Sequence, residues 1–586
     1  MTVLLSSGLA RAEPRSTELG VRSDAKGTRF SVFAPKASQV ELLLGKRRFP
    51  MVLRGRGVFE TLVPVGKTAL EDQRYSYRVT DKNKRACLIS DPYAEATTAD
   101  ERTTSRVANL TYNWNDRGFR RPPAHRLVIS ELHVKDVTQL APDIPVSDRG
   151  TFVGMTHRSV VDYYKSLGTA IQLLPLQSYD SKQGGHWGYM PEHYFALKER
   201  YAKVQGRAHR ELMGLVDRYH QEGIPVLMDV VYNHTANGED LHFRVLGHDY
   251  FYRLKGDGTD RNGAGCGNEL ATERPMVRRL LLDSLKHFVE KFHIDGFRFD
   301  LAALLDMDTM RAIDRTLPKD VYLIAEPWAA SRALWSKKDL IHKLKSTRWM
   351  VWNDTFRQSV RSFVTGASDG ETRNKLIASI AGNTRPSGWR VSDTHFTARP
   401  NQSVPYVDSH DEQALADVVG GNAQRQFLAT VLLLTSQGVP MLGQGQELMR
   451  SKAGRRDTYK DDNPTNWLDW TMTEQKRRLS QAVGQLVALR KSLPFFDGSE
   501  PLTDRDITWI RDGLPDQALG YHYHQAGQEL IVLANGHKSD NVTVPLPSGN
   551  WKVVADGELL AVDANGLRTA SKDYRLAPGC AVVLSR

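Results

Sequence analysis

The sequence predicts an α/β protein: a (β/α)8 TIM-type barrel with an antiparallel β-sandwich before it and an all-β domain after it. Strand-period alternation fills residues 28–63 and returns beyond residue 495. Between them lie short, continuously apolar runs separated by helix-period segments. Alternation is what a half-buried strand needs, and a continuous apolar run is what a strand covered on both faces needs. The 586 residues are 40% hydrophobic, 9% aromatic and 25% charged, enough to build a sizeable core and unlike a disordered or fibrous chain. No stretch approaches the ~20 apolar residues of a membrane-spanning helix.

Residues 1–12, ending in Ala10-Arg-Ala12, resemble a clipped signal peptide. Their apolar run is short and no Lys or Arg precedes it, so a cytoplasmic location is expected, with export as the alternative. The first β-module reads from Thr28–Ala34, Val40–Leu44, Val58–Val63 and Arg74–Val79, separated by Gly, Pro and Lys clusters. It closes at the basic, proline-bearing run Arg117–Arg126, read as a solvated linker. The module is assigned to residues 1–124.

Seven apolar runs then mark barrel strands: Leu127–Val134, Ala170–Pro175, Ile224–Tyr232, Ile294–Asp300, Val321–Glu326, Val404–His410 and Val439–Gln444. Helix-period segments such as Met276–Phe292 and Gln424–Leu434 lie between several of them. Alternating β and α at this length favours a barrel over 125–494. A dinucleotide-binding sheet is disfavoured, because no G-x-G-x-x-G follows the early strands. After the helix Thr473–Leu493, short strands at Ala518–Tyr523, Glu529–Ala534, Val542–Leu546, Trp551–Val554 and Ala581–Leu584 define a closing β-module, 495–586.

The 79 Lys and Arg against 68 Asp and Glu leave a charge of +11. Such a balance invites a nucleic-acid reading, but no aromatic-interleaved basic groove or nucleic-acid motif accompanies it. Three widely spaced cysteines, Cys87, Cys266 and Cys580, exclude a disulfide framework.

In a barrel of this kind the strands deliver their C-terminal residues to one rim. Those residues are Asp229 with His234, Arg298 with Asp300, Glu326, and His410 with Asp411. One acidic residue at a strand end is an ordinary cap or turn former. Four acids, an Arg and two His on one rim have no packing role. Clustered carboxylates without Cys/His metal ligands suit glycoside hydrolysis, in which one carboxylate attacks the anomeric carbon and a carboxylic acid protonates the leaving oxygen. An Arg two residues before the attacking carboxylate shares its strand face and keeps it ionised.

These strand ends, Asp229-Val-Val-Tyr-Asn-His234, Gly296-Phe-Arg-Phe-Asp300, Ala325-Glu326 and Ser409-His-Asp411, resemble in order and spacing the conserved regions of the α-amylase family of glycoside hydrolases. The resemblance implies Asp300 as nucleophile, Glu326 as general acid/base and Asp411 as transition-state stabiliser. It implies Tyr189 as the stacking platform beneath the sugar at the cut, with Asp229, His234, Arg298 and His410 binding or orienting around it. Gly265–Arg278 leading into His293–Leu301, Gly445–Lys452, Asp457–Asn463 and Trp467–Trp470 are similar to pullulanases and isoamylases, as are Phe30–Pro35 and Ser90–Tyr93 of the front module. That narrower likeness implies a retaining hydrolase of α-1,6 branch points in glycogen, amylopectin, limit dextrins or pullulan.

The chain departs from the pullulanase pattern at His186-Trp-Gly-Tyr-Met-Pro191, where Met190 replaces an acid. Ala325-Glu-Pro-Trp328 is closer to the isoamylase form. Ala303 and Leu304 stand where many α-amylases carry Lys-His, which weakens an α-1,4 reading and removes a familiar calcium ligand. Asn233 alone is a poor cation site, since calcium takes 6–8 oxygens. No cofactor and no obligatory metal is expected. The partner is an α-glucan, with no nucleic acid or membrane. Trp328 is expected to line a sugar subsite, whereas Trp335, Trp349 and Trp352 read as packing, Cys266 as a small buried hydrophobe, and Glu131 with His133 as a satisfied buried pair. The alternatives are a malto-oligosyltrehalose trehalohydrolase, a branching enzyme or an α-1,4-acting amylase of the same family, and a catalytically silent α-glucan-binding protein.

Overall fold

The computed structural model describes residues 19–98, 102–384 and 395–586. The signal-like residues 1–12 lie outside the described residues. Two antiparallel sheets form the front module. One contains Gly20–Asp24, Gly27–Phe33, Val52–Gly55 and Val58–Val63, and the other is built around Ala37–Leu44 paired with Arg74–Asp81. Inward alternate residues such as Phe30, Val40, Leu42, Tyr75 and Tyr77 fill the space between them.

The centre is an eight-stranded parallel barrel. Its strands are β1 (Ile129–Leu132), β2 (Ala170–Leu173), β3 (Val226–Val230), β4 (Gly296–Phe299), β5 (Tyr322–Ala325), β6 (Met350–Asn353), β7 (Ser403–Pro405) and β8 (Met441–Leu442). Neighbours pair in sequence order, and β8 pairs with β1. Tyr406, just past β7, bridges to Met441 and closes the ring. Seven strands coincide with the apolar runs. The eighth, β6, was not legible as one of them: it is the tryptophan-bearing segment whose Trp349 and Trp352 the sequence reading assigned to packing, and both are 1% exposed.

Alternate residues of the strands point inward, so Ile129, Leu227, Ile324, Met350, Trp352, Val404 and Met441 make an apolar plug. The outward residues of β4, Phe297 and Phe299, pack against the ring of helices. Helix Pro275–Phe292 shows how those helices are set. Proline occupies its first turn, where no amide partner is needed, and His293 ends it in the left-handed conformation at φ 54°.

The run 117–126 is a docked strap, and the solvated-linker reading is corrected. Its Phe119 stacks on His220 at 3.8 Å, and Trp114, just before the run, stacks on His293 at 3.7 Å. Arg121 pairs with the fully buried Asp295 at 2.8 Å, and Asp295 also takes a hydrogen bond from His220 at 2.8 Å. These contacts lie at the N-terminal end of β4, the floor of the barrel. The closing module is a sandwich whose main sheet runs through Ala518–Gln525, Gln528–Asn535, Cys580–Ser585 and Trp551–Asp556. No helix among the described residues is long and apolar enough to cross a membrane.

Candidate active site

The register of the barrel assembles the site. Parallel pairing sets Asp229 of β3 beside Arg298 of β4, and Arg298 beside Ile324 of β5. Arg298 points inward and upward from the plug, fully buried, with its guanidinium 4.4 Å above the Trp352 ring. Nη1 meets Asp229 at 2.9 Å and Asp300 at 3.1 Å, and Nη2 meets Glu326 Oε1 at 3.0 Å. One cation thus collects three carboxylates from three strands. The Nη2 contact is an ion pair lying off the hydrogen-bonding axis, so Nη2 donates to no acceptor.

Each acid has its own surroundings. Asn233 donates to Asp300 Oδ2 at 2.8 Å and to its carbonyl at 2.8 Å, leaving the carboxylate 8% exposed toward the cleft. Glu326 takes the Leu301 amide on Oε2 at 2.6 Å. That amide is aimed by an unusual backbone, since Leu301 is left-handed at φ 39°, a conformation costing a non-glycine residue roughly 1–2 kcal/mol. Burial pushes the Glu326 carboxyl up to about 8; Arg298 pulls it down, and the negative charges of Asp300 and Asp411 add to the rise. Burial likewise raises Asp229 to about 6, against the pull of Arg298. Asp229 lies beneath the cleft floor, its carboxylate held by Arg298 and by the Tyr189 hydroxyl at 2.7 Å.

Asp411 stands higher, its side chain 53% exposed at the mouth. Burial of its surroundings works to raise its pKa, but His410 outweighs that and holds the carboxyl well below the usual range. In turn burial works to lower His410, while Asp411 and Glu131 carry it up to about 10, so the ring is an imidazolium. Tyr189 stacks on that ring at 5.1 Å and 20°. His234 donates from Nε2 to the Tyr189 carbonyl at 2.8 Å. Gly188 places Tyr189: its φ of 93° is left-handed, and a β-carbon there would lie 3.0 Å from the Tyr179 ring.

Together these groups border a cleft of about 620 Å³. Tyr189, His234, Asp300, Glu326, Trp328, His410 and Asp411 line it, whereas Asp229 and Arg298 lie under it. Cys266 and Met190 also line the cleft, so the reading of Cys266 as a purely buried hydrophobe is corrected. Larger hollows of about 840 and 900 Å³ lie between the front module and the barrel and hold none of the four acids. Four contributors escaped the sequence reading: the amides of Asn233 and Leu301, Glu131, and Lys452. The first sits inside a quoted strand-end motif, and Lys452 ends another. Glu131 is the one charged residue of its short strand, Ile-Ser-Glu-Leu.

A closed barrel whose C-terminal rim gathers carboxylates around one arginine, without a nucleotide-binding loop, defines a glycoside hydrolase. Residues 18–94 match the family described as Carbohydrate-binding module 48 (Isoamylase N-terminal domain), and residues 102–258 match Alpha amylase, catalytic domain. A glycogen debranching enzyme of Yersinia enterocolitica is 30% identical, over 92% of this chain and 94% of its own. A glycogen operon protein GlgX homolog of Mycobacterium bovis is 28% identical, over 93% and 89%. Among solved structures, a pullulanase from Bacillus acidopullulyticus superposes with a TM-score of 0.87 at 28% identity, over 99% of this chain and 76% of that one. A Paenibacillus barengoltzii pullulanase complexed with maltohexaose and α-cyclodextrin gives 0.84 at 28% identity, over 97% and 95%. The chain belongs to the α-amylase family of glycoside hydrolases, in its α-1,6 debranching, pullulanase/isoamylase branch.

Proposed function

We propose that this debranching glycosidase hydrolyses α-1,6 branch points of glycogen, amylopectin, limit dextrins or pullulan with retention at the anomeric carbon. Asp300 is the nucleophile, Glu326 the acid and then the base, and Asp411 the charge that steadies the oxocarbenium-like sugar. The observation that carries this is the single guanidinium holding Asp300 and Glu326 on its two ends. Retention needs carboxyl groups about 5–5.5 Å apart. A shared guanidinium suits that spacing.

Their different environments divide the work. The Arg298 cation and the Asn233 amide hold the Asp300 carboxylate in place. Burial keeps Glu326 protonated at neutral pH. Its Oε2 is occupied by the Leu301 amide, so Oε1, which accepts no hydrogen bond from Arg298, carries the proton to the glycosidic oxygen. As that bond breaks, Asp300 bonds the anomeric carbon. Glu326, now ionised, takes a proton from water, and the resulting hydroxide releases the sugar from Asp300. Tyr189 and Trp328 offer ring faces for the pyranoses. Residues 1–124 serve as the carbohydrate-binding-like module, 125–494 as the catalytic barrel and 495–586 as the closing β-module. The same reading places the work in the cytoplasm, with no nucleic acid or membrane as partner.

A product profile on pullulan, glycogen and β-limit dextrin tests this. Maltotriose from pullulan, without trehalose or new branches, is expected. Reducing ends from linear amylose but never from pullulan or glycogen would overturn the bond assignment.

A further inference from the structure

We infer that Glu131 and Lys452 are positioning residues that aim Asp411 through His410. The inference rests on the role proposed for Asp411. Among the described residues, that carboxylate has one ion-pair partner, His410 Nε2 at 3.4 Å, and its side chain is otherwise half in solvent. A charge meant to meet a developing cation must stand in one place, because misplacement by about 1 Å forfeits much of its effect. The rigidity therefore has to come from His410 and its peptide.

His410 is held on every remaining polar atom. Glu131 of β1 grips it twice: Oε2 accepts the His410 amide at 2.7 Å and Oε1 accepts Nδ1–H at 2.8 Å. Lys452, beyond β8, donates from Nζ to the His410 carbonyl at 2.8 Å. The imidazole face is covered by Tyr189 and its edge by Trp187, 5.1 Å away at 86°. With Nδ1–H committed to Glu131, Nε2–H is left facing Asp411. The clamp thus fixes the ring's orientation, its charge and the direction of the peptide that carries Asp411.

The chemistry of the two clamping residues argues against a packing role. Glu131 is 1% exposed and Lys452 0%. Taking a carboxylate and an ammonium out of water is costly, and well-packed apolar residues in such places commonly serve stability as well or better. Among the described residues the Lys452 ammonium makes one hydrogen bond, to a carbonyl, and meets no carboxylate within 4.0 Å, while its backbone amide donates to Asp417 at 2.8 Å. Its ammonium lies 5.6 Å from the Trp187 ring centroid. A buried cation held by so little is a poor stabiliser of the fold and a good anchor for one peptide. It also ties Gly445–Lys452, the debranching-like motif without an assigned task, to the catalytic rim.

The test is a double-mutant cycle. Glu131→Gln and Lys452→Met are made singly and in an Asp411→Asn background, and kcat and KM are measured with α-maltotriosyl fluoride, whose leaving group needs no proton. Each single variant is expected to lower kcat at least about tenfold with KM held within about twofold. In the Asp411→Asn background neither should lower kcat by more than about twofold, because the group they aim is gone. Equal losses in both backgrounds would overturn the inference, as would native kcat in both single variants. Native kcat in Asp411→Asn alone would instead overturn the role of Asp411, which separates the two failures. Thermal unfolding accompanies each variant. If Glu131→Gln does not fold, Lys452→Met, similar in length but without the charged donor, carries the same cycle.

Discussion

Replacing Glu326 by glutamine should make the folded chain more stable while disabling it. In the folded chain burial lifts this carboxyl from its ordinary 4.5 to about 8, whereas unfolding returns it to the ordinary value. Between those two values the unfolded chain releases a proton that the folded chain keeps, so Glu326 costs stability increasingly as pH rises from 4.5 to 8, and by a constant amount above that. At about 1.4 kcal/mol per pH unit, the interval from 4.5 to 7 sets a ceiling of about 3 kcal/mol at pH 7. Glutamine cannot ionise and removes this penalty. Its amide also replaces the carboxyl group that faces Arg298 Nη2 at 3.0 Å and accepts the Leu301 amide, and an imperfect match there returns part of the gain. The expected net stabilisation is about 1–2 kcal/mol at pH 7 and close to none at pH 4.5.

Turnover of pullulan by the variant should fall about 10²–10⁴-fold, the usual worth of a positioned acid. The native rate should decline above pH 8 as the same proton is lost. Denaturant unfolding of both chains at pH 4.5, 6, 7 and 8, beside reducing-sugar release, measures all three. A stability difference that does not grow with pH would refute the burial argument. Unchanged turnover in the variant would refute the acid assignment.

Two further outcomes separate substrate contact from scaffold. Trp328→Ala removes a ring face from the cleft and should raise KM for a maltooligosaccharide-bearing substrate about 5- to 30-fold, corresponding to about 1–2 kcal/mol, with kcat little changed; an unchanged KM places the ring outside the subsites. Asp295→Asn at the barrel floor breaks the buried pair with Arg121 and His220. It should cost about 3–5 kcal/mol in denaturant unfolding while kcat/KM of the folded fraction stays native, because the floor lies opposite the cleft.

The identity of the acids was legible because a barrel forces them into a pattern. Asp300, Glu326 and Asp411 each end or follow an apolar run and Asp229 interrupts one near its end, and a charge in such a place stands out. Strand β6 was not legible for the same reason in reverse. Met350-Val-Trp-Asn353 is short, and its one tryptophan, Trp352, reads equally well as core packing outside a strand. The strap at 117–126 also escaped, since its binding partners, His220 and Asp295, are far along the chain and its own basic residues resemble any solvated linker.

By itself the sequence determined the architecture and the cluster of acids at the strand ends, because periodicity and strand-end chemistry are local properties; its resemblance to the α-amylase family supplied the roles proposed for three of them. Only the tertiary structure decided how those acids differ. Glu326 is set apart by burial and by the strained amide of Leu301. Asp300 is set apart by Asn233, and Asp411 by an imidazolium that Glu131 and Lys452 hold from opposite ends of the barrel sequence. Those distinctions depend on residues brought together across β1, β3, β4, β5, β7 and β8, and on the low-dielectric setting that only the closed barrel creates.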